Sequence, residues 1–475
     1  MDYPEIKMYI DGEWVGAEGR VTQPVVNPAT GEVIGQLPHA TSEDLDRALA
    51  SAQRGFALWR EKSAQERAHV LRRAANWLRE RSESVARIAT MEEGKVLAET
   101  RVEVQAAADC LEWYGEEGRR AYGRVLSRTR GTRSLVVKEP VGPVAAFAPW
   151  NFPLGNPARK LGAPIGAGCS VIMKPPEEAP ASAMLVAQAL IESGLPPGVM
   201  NIVYGVPDTV SRHLLASRII RKVSFTGSTV VGKHLMKLAA DNGQRTTMEL
   251  GGHAPVIVFD DADVDLALNL MVGSKYRNAG QVCIAPTRFY IQEGIYEHFV
   301  AEFTKRAAAI TLGNGLDGIS QVGPMANPRR LTAMRELIDD AKQRGANIRT
   351  GGEQIDGPGF FWQPTVISDL PLDARLMNEE PFGPIALMSS FKTFDEAIEQ
   401  ANRLPYGLAA YAFTRSAKTA MLVGDALEAG MIGINSVMVG AADAPFCGIK
   451  DSGHGVENAV EGLEACLIVK QITQG

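Results

Sequence analysis

The chain is poor in the residues that staple or metallate a fold. Its 475 residues include five cysteines, Cys110, Cys169, Cys283, Cys447 and Cys466, and no two stand at CxxC spacing. An odd count at wide spacing excludes a disulfide framework and offers no zinc signature. The seven histidines are scattered without an HxxxH pattern, so no metal site is expected. No apolar run approaches the roughly 18–20 residues that cross a bilayer, which excludes a membrane partner of that kind. The opening MDYPEIKMYIDGEWV is acidic and polar and lacks the basic and apolar regions of a secretion signal. Positive charge is not in surplus either: 49 Lys and Arg face 55 Asp and Glu, for a net charge of -6 with both signs mixed. A phosphate-binding basic face is excluded, and nucleic acid with it. Internal repeats and low-complexity tracts are absent. The expectation is a cytoplasmic protein, long enough for two or three domains.

What is present is a change of texture. The first long element, SEDLDRALASAQRGFALWR, puts Leu45, Leu49, Ala52, Phe56 and Trp59 on one helical face, with Ser42 as the expected N-cap. Further helices are expected over about 64–80, 82–93 and 103–119. From Leu135 onward short apolar runs alternate with helical segments: VGPVAAFAPW, CSVIMK, NIVYG, KVSFTG and TTMEL read as strands, with a helix after each of the first four. That rhythm predicts a parallel sheet covered on both faces. A second alternating stretch starts at APVIVFDD and runs through Thr414. Two α/β domains are therefore expected, meeting near Gly251-Gly252. Residues 123–140 and the tail from Ile468 look like strands without helices of their own, able to pair with each other or with another subunit.

Several short segments carry chemistry-bearing residues. In RNAGQVCIAPTRF the single Cys283 stands outside any apolar run, after the small residues Ala279 and Gly280. A thiolate there would be a strong nucleophile, whereas a small core filler is the plain alternative. In MELGGHAPVIV, Glu249 ends a strand before two glycines, where open α/β sheets place their ligand crevice. It could act as general base for a thiol or a water, or be a surface acid before a turn. In FAPWNFPLGNPARK a strand ends at Trp150-Asn151, and the Asn151 amide could hold an oxyanion or merely shape the turn. In VIMKPPEEAP, Lys174 and Glu177 stand just past a strand end, either on ribose hydroxyls or as solvated charges. In SFTGSTVVG the Gly227-Ser228 turn opens a helix, where free amides and the helix dipole favour pyrophosphate; the plain alternative is Ser228 as an N-cap alone.

Each segment is weak alone, but their order and spacing together strongly resemble the aldehyde dehydrogenase superfamily. The resemblance runs from NPATGEVIG near the start to PFCGIKDSGHG near the end and includes the family's MELGG and cysteine signatures. It implies an α/β fold: a Rossmann-like cofactor domain over residues 1–120 and 141–251, and an α/β catalytic domain over 252–451. A small β oligomerisation element with the tail would cover 121–140 and 452–475. It implies homodimers or homotetramers. It also implies oxidation of a small-molecule aldehyde to an acid. Cys283 would attack the carbonyl, with the oxyanion held by the Asn151 amide and the Cys283 backbone N–H. Hydride would pass to a nicotinamide, and Glu249 would activate the water that hydrolyses the thioester. Trp150, Lys174, Glu177, Gly227, Ser228, Val231, Glu380 and Phe382 are the implied cofactor residues, with Lys174 on ribose, Ser228 on the pyrophosphate, Val231 by the adenine, and Glu380 and Phe382 on the nicotinamide ribose.

Glu177 stands where NAD-preferring relatives carry an acid. A carboxylate accepts from ribose hydroxyls and repels a 2′-phosphate, so NAD is expected over NADP. Arg159 and Arg277 match positions that bind the distal carboxylate in succinate-semialdehyde dehydrogenases, and guanidinium suits that contact; the plain alternative is that both only salt-bridge nearby acids. The surrounding text looks closest to 2-oxoglutarate-semialdehyde dehydrogenases. The expected substrate is thus 2-oxoglutarate semialdehyde or succinic semialdehyde, with neutral aliphatic or aromatic aldehydes as the alternative. The chain departs from the family at Gly440-Ala441, where a carboxylate-holding serine is common, at Cys447 in place of a glycine, and at Pro207 in the cofactor loop.

Overall fold

The computed structural model describes residues 3–475. The buried apolar runs of the middle of the chain assemble into two sheets with separate hydrophobic cores. At the centre of the first sheet lies Val144–Phe147, flanked in parallel by Val171–Lys174 and Lys222–Thr226. Met200–Ile202 and Arg245–Glu249 extend it on either side, again in parallel. Val144–Ala146 and Val171–Met173 are completely buried, as strands covered by helices on both faces must be. The chain order reverses at Val144–Phe147. Ligand crevices of open α/β sheets form at such a reversal, outside the carboxyl ends of the strands.

The second sheet is ordered Asn347–Thr350, Thr365–Ser368, Ile385–Phe391, Pro286–Gln292, Ala254–Val258, Ala409–Phe413 and Met431–Ile434, and only its first strand is antiparallel. Four residues, Leu250 to His253, join Glu249 at the carboxyl end of one sheet to Ala254 at the amino end of a strand in the other. The carboxyl ends of the first sheet thereby face loops that lead into the second, among them the segments before Pro286 and Ile385.

The helix-free strands pair with each other. Leu467–Gln474 lies antiparallel along Arg133–Pro140 over eight residue pairs, and Arg124–Leu126 covers the far side. Leu467–Gln474 is the outer strand of this small sheet, and Val469 is 69% exposed.

Four details differ from the sequence reading. The first helix, Ser42–Trp59, is capped by Thr41, not Ser42: Thr41 and Asp44 exchange side-chain and backbone hydrogen bonds in a capping box. Phe56 on its apolar face is only half-buried. The fourth helix is Leu97–Gly118, six residues longer at its start than expected. Gly94, at φ 98°, ends the preceding helix, and Val96 is extended, so the new helix begins at once without an apolar stripe to announce it. Finally, Gly453–His454 pairs with Arg245–Glu249 and closes the first sheet, so the tail is not wholly part of the small sheet. No helix among the described residues is long and apolar enough to cross a membrane.

Candidate functional site

The Cys283 segment is a turn under strain. Asn278, Ala279 and Gly280 all have positive φ, at 49°, 51° and 73°. A left-handed Asn is tolerable and a left-handed Ala is not, so the turn must be over-determined by its surroundings. It is. The Asn278 N–H donates to both Glu99 carboxylate oxygens at 3.3 and 3.0 Å. The Gln281 side chain donates to the Asn278 carbonyl at 3.1 Å and accepts from the Ala326 N–H at 2.9 Å. The smallness of Gly280 has a specific cause: a Cβ there would lie 2.1 Å from the Gly383 carbonyl oxygen. The turn delivers Cys283 half-buried and free. Burial pushes its thiol up to about 12; Glu380 and Glu249 add to the rise, and Arg159 and Arg277 oppose it.

Glu249 is 1% exposed, and neither carboxylate oxygen has a hydrogen-bond partner. Burial holds its carboxyl well above the usual carboxylate range, with Glu457 adding to the effect and Lys160 and Arg159 opposing it. A buried, unpartnered acid whose charge acts on a nearby thiol is a candidate proton acceptor. Asn151, 4% exposed, lies beside the same turn: its Nδ2 donates to the Gln281 carbonyl at 3.1 Å, and Asn278 Nδ2 donates to the Asn151 carbonyl at 3.0 Å. Cys283 and Asn151, on two loops, and Glu249, at a strand end, thus come together from separate parts of the chain.

Of the residues named for a cofactor, Trp150, Lys174, Glu177, Gly227 and Ser228 end or follow strands at the carboxyl ends of the first sheet. Val231 lies on the helix after one of them, and Glu380 and Phe382 precede the strand Ile385–Phe391 of the second. Lys174 ends its strand 5% exposed and pairs with Glu177 Oε1 at 2.5 Å. Ser228 caps the helix Thr229–Ala240 through the Val231 N–H, so its hydroxyl serves the helix while the first-turn amides lack intrahelical acceptors. Val231 is 43% exposed on that first turn. Gly227 precedes it, and the buried Thr226 hydroxyl has no partner. Trp150 and Phe382 meet edge to face at 5.5 Å. Phe382 sits at φ 44°, held by Arg330, whose guanidinium donates to the Pro381 and Phe382 carbonyls. Burial raises the Glu380 carboxyl to about 7 against the Gly252 backbone donor and the charges of Arg330 and Lys275. Orphaned polar atoms, a helix N-terminus and a lysine–glutamate pair along one crevice fit a dinucleotide.

Arg159 and Arg277 both influence the Cys283 thiol, and neither has a salt-bridge partner among the described residues. Instead Arg159 lies 4.5 Å over the Phe446 ring, and Arg277 lies 5.5 Å over the Phe152 ring. Glu99, the acid whose carboxyl feels Arg277, is already engaged by Asn278. Gly440 lies against Phe446, and a Cβ there would meet the ring at 3.7 Å, an ordinary van der Waals contact. Cys447 is half-buried with its Sγ 3.8 Å from the Gly430 carbonyl, and Pro207 starts a helix, Pro207–Ala216.

Sequence reading missed the residues that hold this arrangement: Lys95, Glu99, Glu103, Lys160, Arg330 and Glu457. Lys160 and Glu457 form a buried pair at 2.7 Å behind Glu249, 297 positions apart in the chain. Of these, only Lys160 stood in a segment already singled out, as did the supporting residues Asn278 and Gln281.

The sequence pattern of the aldehyde dehydrogenase family matches residues 14–472. The chain is 48% identical to a 4-(hydroxymethyl)benzenesulfonate dehydrogenase of Comamonas testosteroni over 98% of its own length and 97% of the relative's. It is 39% identical to the NADP(+) succinate-semialdehyde dehydrogenase of Escherichia coli, over 98% and 97%. The crystal structure of an E. coli NADP dependent enzyme superposes with a TM-score of 0.97 at 39% identity, covering 99% of this chain and 98% of that one. Betaine aldehyde dehydrogenase from Staphylococcus aureus in complex with NAD+ superposes with a TM-score of 0.96 at 35% identity, over 99% and 94%. Near-complete coverage in both directions, on the fold and around the crevice described above, leads to one conclusion: the chain is an oxidoreductase and belongs to the aldehyde dehydrogenase family.

Proposed function

We propose that the chain oxidises an aldehyde bearing a distal oxyanion, a carboxylate or a sulfonate, to the corresponding acid, with NAD preferred over NADP. The observation that carries this reading is the pair of guanidiniums without salt-bridge partners, Arg159 and Arg277, beside the Cys283 thiol. A planar guanidinium binds either oxyanion through parallel hydrogen bonds, and the phenyl rings beneath hold it without neutralising it. The relatives' names support both arms: one carries an aryl sulfonate and one a succinate semialdehyde. The Phe152 and Phe446 rings beside the two guanidiniums favour an aromatic substrate over the shortest semialdehyde.

In this reading Cys283 is the nucleophile, and its raised pKa requires that its proton leave as the carbon–sulfur bond forms. Glu249, itself raised by burial, is the acceptor matched to that task. The Asn151 amide and the Cys283 N–H hold the resulting oxyanion. When bound, the oxidised nicotinamide supplies the hydride acceptor that turns thiohemiacetal into thioester; Trp150, Lys174, Glu177, Gly227, Ser228, Val231, Glu380 and Phe382 would hold the dinucleotide. After passing the thiol proton to solvent, Glu249 takes a proton from the water that attacks the thioester, and Cys283 leaves as the thiolate. The outer strand Leu467–Gln474, with its unpaired edge, supports assembly as a homodimer or homotetramer.

Steady-state oxidation of succinic semialdehyde, 2,5-dioxopentanoate, 4-formylbenzenesulfonate, hexanal and benzaldehyde tests the substrate class. The anionic aldehydes should have the higher kcat/KM. Arg159→Ala and Arg277→Ala should each raise KM for them roughly 10- to 100-fold, the loss of one charge-assisted contact, and leave benzaldehyde unchanged. Anionic aldehydes oxidised no better than benzaldehyde by the parent, or with a KM unchanged in both variants, would overturn the assignment.

Cofactor choice rests on Glu177. Its carboxylate stands 2.5 Å from Lys174 Nζ, where an added 2′-phosphate would meet a negative charge already in place. Glu177→Ser should raise the NADP-to-NAD ratio of kcat/KM at least about tenfold, the equivalent of 1.4 kcal/mol. An unchanged ratio removes Glu177 from the account.

A further inference from the structure

Lys95 is 1% exposed and lies on no element of the crevice, yet it reaches the crevice. Its Nζ donates to Glu103 Oε2 at 2.6 Å and to the backbone carbonyl of Asn151 at 2.8 Å. It also sits 4.1 Å over the Phe152 ring and 4.0 Å from Glu93. The other Glu103 oxygen accepts from the Leu154 and Gly155 N–H groups at 2.8 and 3.0 Å. These bonds serve the start of the helix Gly155–Ala167, which carries Arg159 and Lys160 and has no side-chain N-cap of its own. One turn before Glu103, Glu99 holds the Asn278 N–H, and Asn278 Nδ2 is the second donor to the Asn151 carbonyl. Residues 95–103 therefore grip both the strand end that bears Asn151 and the strained turn that bears Cys283.

A buried ion pair is a weak source of stability, because desolvation offsets the attraction. What such a pair does well is fix positions, and here it fixes the carbonyl of the residue whose side-chain amide lies beside the thiol turn. We propose that Lys95 is a positioning residue for the oxyanion site: paired with Glu103, it sets the Asn151 backbone and so the aim of the Asn151 amide at the carbonyl oxygen on Cys283. The inference rests on the thiol mechanism proposed above and adds a residue to it. Misplacement of a reacting group by about 1 Å lowers rates by roughly two orders of magnitude, so the effect belongs in the acylation rate and not in binding.

The test uses the full-length enzyme with NAD and succinic semialdehyde, in single turnover, with rates normalised to thiols titrated by iodoacetamide. Lys95→Met leaves Glu103 buried and unpaired, so Lys95→Met/Glu103→Gln is made alongside it; the glutamine oxygen still accepts from Leu154 and Gly155. Either folded variant should slow the burst of NADH at least about tenfold, with the Kd of NAD within about twofold of the parent. Lys95→Arg should recover part of the rate. In an Asn151→Ala background the same Lys95 substitution should change the burst rate less than about twofold, since the group it positions is gone. A purely structural role would lower the thermal midpoint and the titratable thiol but not the rate per thiol, and would act equally in both backgrounds. Either result, with the parent enzyme active and dependent on Cys283, overturns the positioning role alone. A parent whose turnover survives Cys283→Ser overturns the mechanism it rests on.

Discussion

Cys283→Ser should lower aldehyde oxidation by on the order of 10⁴-fold or more, with fold and NAD binding intact. The size of the effect follows from the surroundings of the sulfur. Burial and the neighbouring Glu380 and Glu249 have already pushed the thiol up to about 12. A serine hydroxyl in that place starts several units higher still and is the poorer nucleophile. The substitution is nearly isosteric, so the strained turn over Asn278–Gly280 and its bonds to Glu99 and Ala326 should survive. The thermal midpoint and the Kd of NAD provide the control, and a serine enzyme with a tenth of parental turnover would end the covalent mechanism. The raised thiol pKa adds a pH signature. Alkylation of Cys283 by iodoacetamide should be slow at neutral pH and should rise with pH through pH 9, because burial disfavours the thiolate.

Glu249→Gln should separate the two halves of the reaction. If Glu249 activates the deacylating water, the glutamine enzyme should release no more than one equivalent of NADH per titratable thiol and then fall to a rate lower by about 10²–10⁴-fold. Because Glu249 also accepts the thiol proton, the burst itself should be slowed in the same variant. Rapid mixing distinguishes the two effects, and an undiminished steady state would exclude both roles. The sign of the pH dependence follows from the raised carboxyl. Water activation needs the ionised form, and burial with the Glu457 charge makes ionisation harder. Parental kcat should therefore fall as pH is lowered through the raised pKa of Glu249, at a higher pH than an exposed glutamate would give. Glu457→Gln removes a like charge and should move that limb toward lower pH.

The family and the α/β fold were legible in the sequence because both rest on local signals. Period-two and unbroken apolar runs mark strands such as Val144–Phe147 and Val171–Lys174, and 3.6-residue spacing marks the helix after each. MELGG and RNAGQVC are equally local. Boundaries were less legible where the determinant is a backbone conformation. Thr41 takes the cap because Asp44, three residues on, returns the bond; the helix Leu97–Gly118 starts early because Gly94 turns left-handed. The glycine and alanine before Cys283 suggested only small bulk, whereas the structure adds a left-handed turn pressed against the Gly383 backbone.

By itself, then, the sequence determined which elements form, which family they belong to, and which side chains are chemically able to act. Only the tertiary structure decided what surrounds those side chains. Lys95 reaches Asn151 across 56 positions, and Lys160 reaches Glu457 across 297. Arg159 and Arg277 come to lie on Phe446 and Phe152 without a salt-bridge partner. The physical reason is range. A strand or helix is selected by the geometry of a few neighbouring residues, but charge, burial and hydrogen bonding at a site are set by groups that meet only when the two sheets pack. No periodicity along the chain records such a meeting.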